Sequence, residues 1–237
     1  MKEKKGQSGF TLVEIAMVLV IIGLLLAGIL KGQELVNSAR VRNLADQNSG
    51  IQAAYYGFID RFRQVPGDFP SAEASTAIGT TINLPAAASA TDGNGRIDNT
   101  YEEAAAVWEQ LSKANFIQGN YNPATTPAND ADYAANAPVN AFNGALTLTR
   151  NADYAGTASL RLALHLGPQI PVRIARELDV KIDDANPASG VLRLSAGPGA
   201  DPFSALHAVS TAPPCVDAGG NYDIAGDAQD CGLVFLY

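Results

Sequence analysis

The stretch Gly9–Leu30, GFTLVEIAMVLVIIGLLLAGIL, decides how the rest of the chain is read. From Phe10 onward it is interrupted only by Thr11 and Glu14, and Ile15–Leu30 holds no charge. At ~1.5 Å rise per residue, a helix from Phe10 to Leu30 crosses a hydrocarbon core of roughly 30 Å. The lysines just before it, Lys2, Lys4 and Lys5, predict that the N-terminus stays on the cytoplasmic side and that everything after Leu30 is exported. Glu14 is the anomaly, because an ionised carboxylate inside a membrane helix is costly and implies a partner.

Two ordinary readings account for this segment incompletely. A cleavable secretory signal has basic residues followed by an apolar run, but here the run is long and carries a carboxylate near its start. It also passes into LKGQELVNSAR without a small-x-small cleavage site. A plain retained anchor explains the length and leaves Glu14 unexplained. A free α-amino group is a cation that would answer Glu14, and cleavage after Gly9 would create one on Phe10.

KKGQSG followed by FTLVEIAMVLVIIGLLLAGIL resembles the class III signal of type IV prepilins and type II secretion pseudopilins. The resemblance implies cutting between Gly9 and Phe10 by a prepilin peptidase and N-methylation of the new Phe10 amine. It also implies that Glu14 neutralises the N-terminal amine of a neighbouring subunit as the helix leaves the bilayer for a filament. The partners it implies are other pilin or pseudopilin subunits, the prepilin peptidase/methyltransferase and an inner-membrane assembly platform. The location it implies is single-pass in the bacterial inner membrane with a periplasmic head, then a filament. A type IV pilus subunit is the leading expectation, with a pseudopilin or a filament-tip binding subunit as alternatives.

Beyond Leu30 the pattern turns amphipathic. Ile51, Tyr55, Phe58, Phe62 and Val65 recur at helical spacing, predicting one helix from about Phe10 to Arg63, stopped by QVPGDFP. That gives a stem roughly 80 Å long at ~1.5 Å per residue. Residues 67–99, rich in Ala, Ser, Thr and Gly, read as loop. Thr100 with Glu103 forms a capping-box pattern opening a helix over about Tyr101–Asn115, with Ala104, Val107, Trp108 and Leu111 on one side. GNYNPATTPANDADYAANAP reads as a second loop. GALTLTRN, TASLRLALHL, GVLRLSAG and CGLVFLY read as strands, with a short helix at PVRIAREL. The expected fold is α+β and pilin-like: a leader over 1–9, a membrane and filament-core helix over 10–30, its amphipathic continuation over 31–65, and a head over 66–237 on an antiparallel sheet.

The remaining candidates are modest. In DGNGRIDNTYEE, Asp92, Asn94, Asp98 and Glu103 supply oxygen ligands at nearly EF-hand spacing, although Arg96 and Ile97 stand at a ligand position and at the turn glycine. A Gly-Asn turn is the plainer reading, and no other cofactor is expected. Asp179, Asp183 and Asp184 cluster in LDVKIDDANP, where a helix end running into an Asx turn before Pro187 is the simpler account. His165 reads as a sheet-face residue beside Arg161, and His207 as a loop residue. Cys215 and Cys231, paired after an export segment, read as a disulfide closing a polar loop that apolar burial could not shape. The resemblance implies that this loop is exposed.

Net charge is −8, and three lysines fall in the first nine residues, so the rest is more acidic still. That disfavours a sequence-independent nucleic-acid surface unless Arg150, Arg161 and Arg173 gather locally. No G-x-S-x-G, P-loop, dinucleotide or zinc pattern occurs, so an enzyme is not expected.

Overall fold

A computed structural model describes residues 11–85, 93–123, 129–196, 203, 206–207, 212 and 214–237. Helix α1 runs Leu12–Phe62, and the chain divides into two compact units with the boundary after Arg40, inside that helix. The first unit is helical throughout its described length beyond Thr11.

In the second unit α1 buries Val41, Leu44, Ile51, Ala54 and Phe58, an i, i+3, i+4, i+7 seam. Tyr55, Phe62 and Val65 of the expected stripe are partly buried on the same core. Phe58, Phe62, Phe69 and Phe116 form an aromatic cluster with ring centroids 4.6–6.5 Å apart. Gly57 makes room for it, since a Cβ there would meet the Phe116 ring at 2.9 Å. The helix stops where Arg63 turns left-handed (φ 55°), with Pro66 barring continuation.

The expected loop over 67–99 contains a helix, α2 (Ser71–Ile78), which is a correction. Pro70 presets its entry and Gly79, at φ 84°, closes it by donating to Ser75 O. Its Ala- and Ser-rich sequence buries only Ala74, so no apolar stripe announced it. Helix α3 (Tyr101–Lys113) starts at Thr100, whose hydroxyl accepts from Glu103 N at 3.3 Å. The reciprocal half of the box is rewired: Glu103 Oε2 accepts from Asp98 N at 2.6 Å, and Thr100 N donates to Asp98 O. Ala104, Val107, Trp108 and Leu111 are fully buried, and so are Glu103, Glu109 and Gln110. The helix is therefore central rather than one-sided. Helix α4 (Asp130–Ala134) also falls in a stretch expected to be loop; it places Tyr133, whose hydroxyl accepts from Trp108 Nε1 (2.7 Å) and donates to Leu146 O (2.6 Å).

The four expected strands form one antiparallel sheet of order β1-β2-β4-β3: β1 (Thr147–Asn151), β2 (Arg161–His165), β3 (Leu192–Leu194) and β4 (Leu233–Leu236). Between β2 and β3 lies α5 (Val172–Ile182), which extends PVRIAREL by a turn. On β2, Leu164 is fully buried, Leu162 partly so, and Leu160, just before the strand, is exposed. The architecture is the α+β, pilin-like one expected: a long N-terminal apolar helix and a head built on a small antiparallel sheet.

Candidate functional site

Gly9 and Phe10, the expected processing point, and Asp92, the first expected calcium ligand, lie outside the described residues. At the start of α1 Glu14 does local work. Thr11 N and Thr11 Oγ1 both donate to Glu14 Oε2 at 2.8 Å, and Glu14 N donates to Thr11 Oγ1 at 3.3 Å. This is a reciprocal capping box at the start of α1. The signal for it is present in the sequence as TLVE, a Thr-x-x-Glu pattern ahead of an apolar run. From Leu12 to Leu30 every large apolar side chain is exposed. Among the described residues none of these side chains is buried.

The calcium residues are brought together, but against one another. Asp98 accepts from Asn94 Nδ2 (2.9 Å) and from Arg96 Nε (3.0 Å), and Asn94 Oδ1 accepts from Arg96 N. A guanidinium inside the ligand ring and carboxylate oxygens already engaged do not fit a cation cage. The organiser of this turn is Asp68, which sequence reading treated only as part of a helix stop. Its two oxygens accept from Asn94 N (2.9 Å) and Gly95 N (2.6 Å), and burial pushes its carboxyl above the usual range.

Asp179, Asp183 and Asp184 place ligand oxygens within 4.8 Å of one another. Each is engaged by the protein. Asp183 accepts from Val191 N and Leu192 N; Asp184 accepts from Asn186 N, the Asx turn expected before Pro187, and from Ser189 Oγ. Asp179, fully buried, accepts from Tyr222 Oη at 2.7 Å and Ala185 N at 3.2 Å. Burial pushes its carboxyl up to about 6, against the lowering pull of Tyr222.

Cys215 and Cys231 are joined, S–S 2.02 Å, and the loop they close is docked rather than free. Tyr222 and Ala228 are buried in the main core, which corrects the expectation that apolar burial could not shape it. Ala228 O accepts the otherwise open Val172 N at the start of α5, Cys231 N donates to Ile170 O, and Asp230 accepts from Gln169 N. Arg173 pairs with Asp227 at 3.1 Å on the surface.

His165 does not share a wet face with Arg161. It is buried and stacked on buried His207, with centroids 3.5 Å apart and planes 10° from parallel, and Phe203 and Leu206 are buried as well. Burial, then the neighbouring His207, holds its imidazole well below the ordinary range. Arg150, Arg161 and Arg173 do not gather into the local basic patch that a nucleic-acid surface would need. Arg150 faces Leu162 and Arg161 faces Asn151 in register, so the two arginines point to opposite faces, and Arg173 is neutralised by Asp227.

Residues 4–30 match the family model described as Prokaryotic N-terminal methylation motif, the class III signal of type IV pilins and pseudopilins. No curated protein and no solved structure matches the chain. The motif supports a type IV pilin- or pseudopilin-type precursor and points to a structural subunit, a class that is usually non-enzymatic. It implies processing by prepilin peptidase and assembly with other pilin subunits. Together with one N-terminal apolar helix long enough to cross a membrane, it is consistent with a single-pass, membrane-anchored pilin.

Proposed function

We propose that this chain is a structural subunit of a type IV pilus-type filament. It is cut between Gly9 and Phe10, methylated on Phe10, held in the inner membrane with its head in the periplasm, and polymerised through α1. The observation carrying this reading is the uncovered apolar surface Leu12–Leu30, headed by Glu14 within the matched motif. In the monomer, lipid covers that surface. In the filament, neighbouring helices replace lipid, and Glu14 meets the methylated amine of a neighbour's Phe10. The Thr11 hydrogen bonds keep the carboxylate partnered before assembly; the amine adds a countercharge in the dry bundle.

A pseudopilin is the second reading. The calcium turn would have favoured it, and the engagement of Asp98 by Asn94 and Arg96 removes that support. The docked disulfide loop is compatible with either system. Quantitative proteomics of sheared extracellular filaments beside the membrane fraction tests the choice. Abundant processed chain in the filaments is expected; processed chain confined to membranes would overturn the pilus reading in favour of a pseudopilin.

A further inference from the structure

Several charges on α1 are engaged within the chain. Lys31 pairs with Glu34 at 2.6 Å, and Asp60 pairs at 3.5 Å with Arg63, just past the helix end. Arg61 lies over the Phe62 ring. Arg42 and Asp46 differ. Both are exposed, and among the described residues neither takes part in an ion pair or a side-chain hydrogen bond. They stand four residues apart, base before acid, which is the weaker of the two i, i+4 orders within one helix. Val41, Leu44, Ile51, Ala54 and Phe58 face the head core, and at ~100° per residue Arg42 and Asp46 project from the opposite side of α1.

The pair repeats the arrangement at the head of the helix. In the filament, Glu14 of one subunit meets the Phe10 amine of a neighbour, and Arg42 stands to Asp46 in sequence as Phe10 stands to Glu14. Along α1, Glu14 and Asp46 are separated by about nine turns at 3.6 residues per turn, an interval that brings a helix back to nearly the same face. Two parallel copies of α1 displaced by four residues, about 6 Å along the axis, therefore satisfy both pairings at one offset.

We propose that Asp46 of one subunit pairs with Arg42 of a second copy of this chain, forming a second charge clamp roughly 50 Å along α1 from the first. The inference rests on the filament reading and adds to it what fixes the register. Apolar contacts along Leu12–Leu30 are non-directional and tolerate axial slip, whereas charge pairs are complementary at one offset only.

The test uses the full chain in cells lacking their own copy of it, and reads the amount recovered in sheared filaments. Arg42→Asp and Asp46→Arg each set like charges against one another between neighbours. Each is expected to lower incorporation by about fivefold or more, a loss at the upper end for exposed ion pairs. The double reversal, Arg42→Asp with Asp46→Arg, restores opposite charges and is expected to recover most of it. A second measurement does not depend on the reversed chains folding. An Arg42→Cys chain and a differently tagged Asp46→Cys chain are expressed together and treated with a short bismaleimide; the native cysteines, joined to each other, do not react. Mixed dimers in clear excess over Arg42→Cys self-dimers are expected. Absence of the parent chain from filaments would overturn the filament reading and this inference with it. A parent that incorporates, together with unimpaired single reversals, a folded double reversal that recovers nothing, or self-dimers as abundant as mixed ones, overturns the inference alone.

Discussion

Replacing Tyr222 by Phe removes one hydroxyl from the joint between the disulfide loop and α5. That hydroxyl donates at 2.7 Å to Asp179, a fully buried residue that also accepts from Ala185 N at 3.2 Å. Hydrogen bonds to charged groups contribute about 1.5–3 kcal/mol. The lower end applies here, because Asp179 keeps a second donor, Ala185 N, after the hydroxyl is lost. The loss depends on pH. Folding raises the Asp179 carboxyl to about 6, so its titration contributes stability below its unfolded value near 3.8, and that contribution is lost as pH rises through 6. Without Tyr222 the folded value climbs further, and the variant loses more on going to alkaline pH than the parent does. The expectation is a destabilisation of about 1.5 kcal/mol at pH 8 and clearly less at pH 5. Urea unfolding followed by the fluorescence of Trp108, the chain's single tryptophan, measures both. His165, held below its ordinary range, removes stability as pH falls below about 6.5, but it does so equally in parent and variant and cancels from the difference. Equal loss at the two pH values, or no loss at pH 8, would refute the argument that a charged hydrogen bond fastens the loop to α5.

Glu14→Gln retains an acceptor for the Thr11 donors and deletes the charge, whereas Glu14→Ala deletes both; each is expected to be cleaved normally and to lose most filament incorporation in a pull-down of sheared fibres. Full incorporation of the Gln variant would mean that the capping box, and not charge pairing, is what Glu14 supplies. Gly67→Ala forces a side chain into φ 96° with its Cβ 2.5 Å from Val107 Cγ2 and 2.9 Å from Glu103 O, and should cost at least about 2 kcal/mol in urea unfolding. Cys215→Ser with Cys231→Ser opens a loop of 16-residue separation and should lower stability by about 3 kcal/mol, with a fall in thermal midpoint as the readout.

The features that sequence exposes are those repeated along the chain. The apolar run and its amphipathic continuation specify α1 because every turn repeats the instruction, and alternation across GALTLTRN and TASLRLALHL marks strands in the same way. Thr100 marked the start of α3 because a cap is local chemistry. Helices α2 and α4 were hidden because SAEASTAI and DADYA each bury a single side chain, so burial leaves no period to read. Long-range pairings were hidden for another reason. Tyr222 on Asp179, His207 on His165 and Asp68 under Asn94 and Gly95 join residues whose neighbours in sequence say nothing about the partner. The turn after Asp92 is a further case: spacing suggested ligands there, while the folded turn uses the oxygens of Asn94 and Asp98 for Asn94 Nδ2, Arg96 N and Arg96 Nε.

The central claim is that the chain is a processed pilin-type subunit, and the mass of its mature N-terminal peptide tests it most directly. Protein purified from cells with an active prepilin peptidase should yield a peptide beginning at Phe10, carrying one methyl group on its amine and running to Lys31. A chain that retains Met1–Gly9 under those conditions, or one cut beyond the apolar run, would contradict the account.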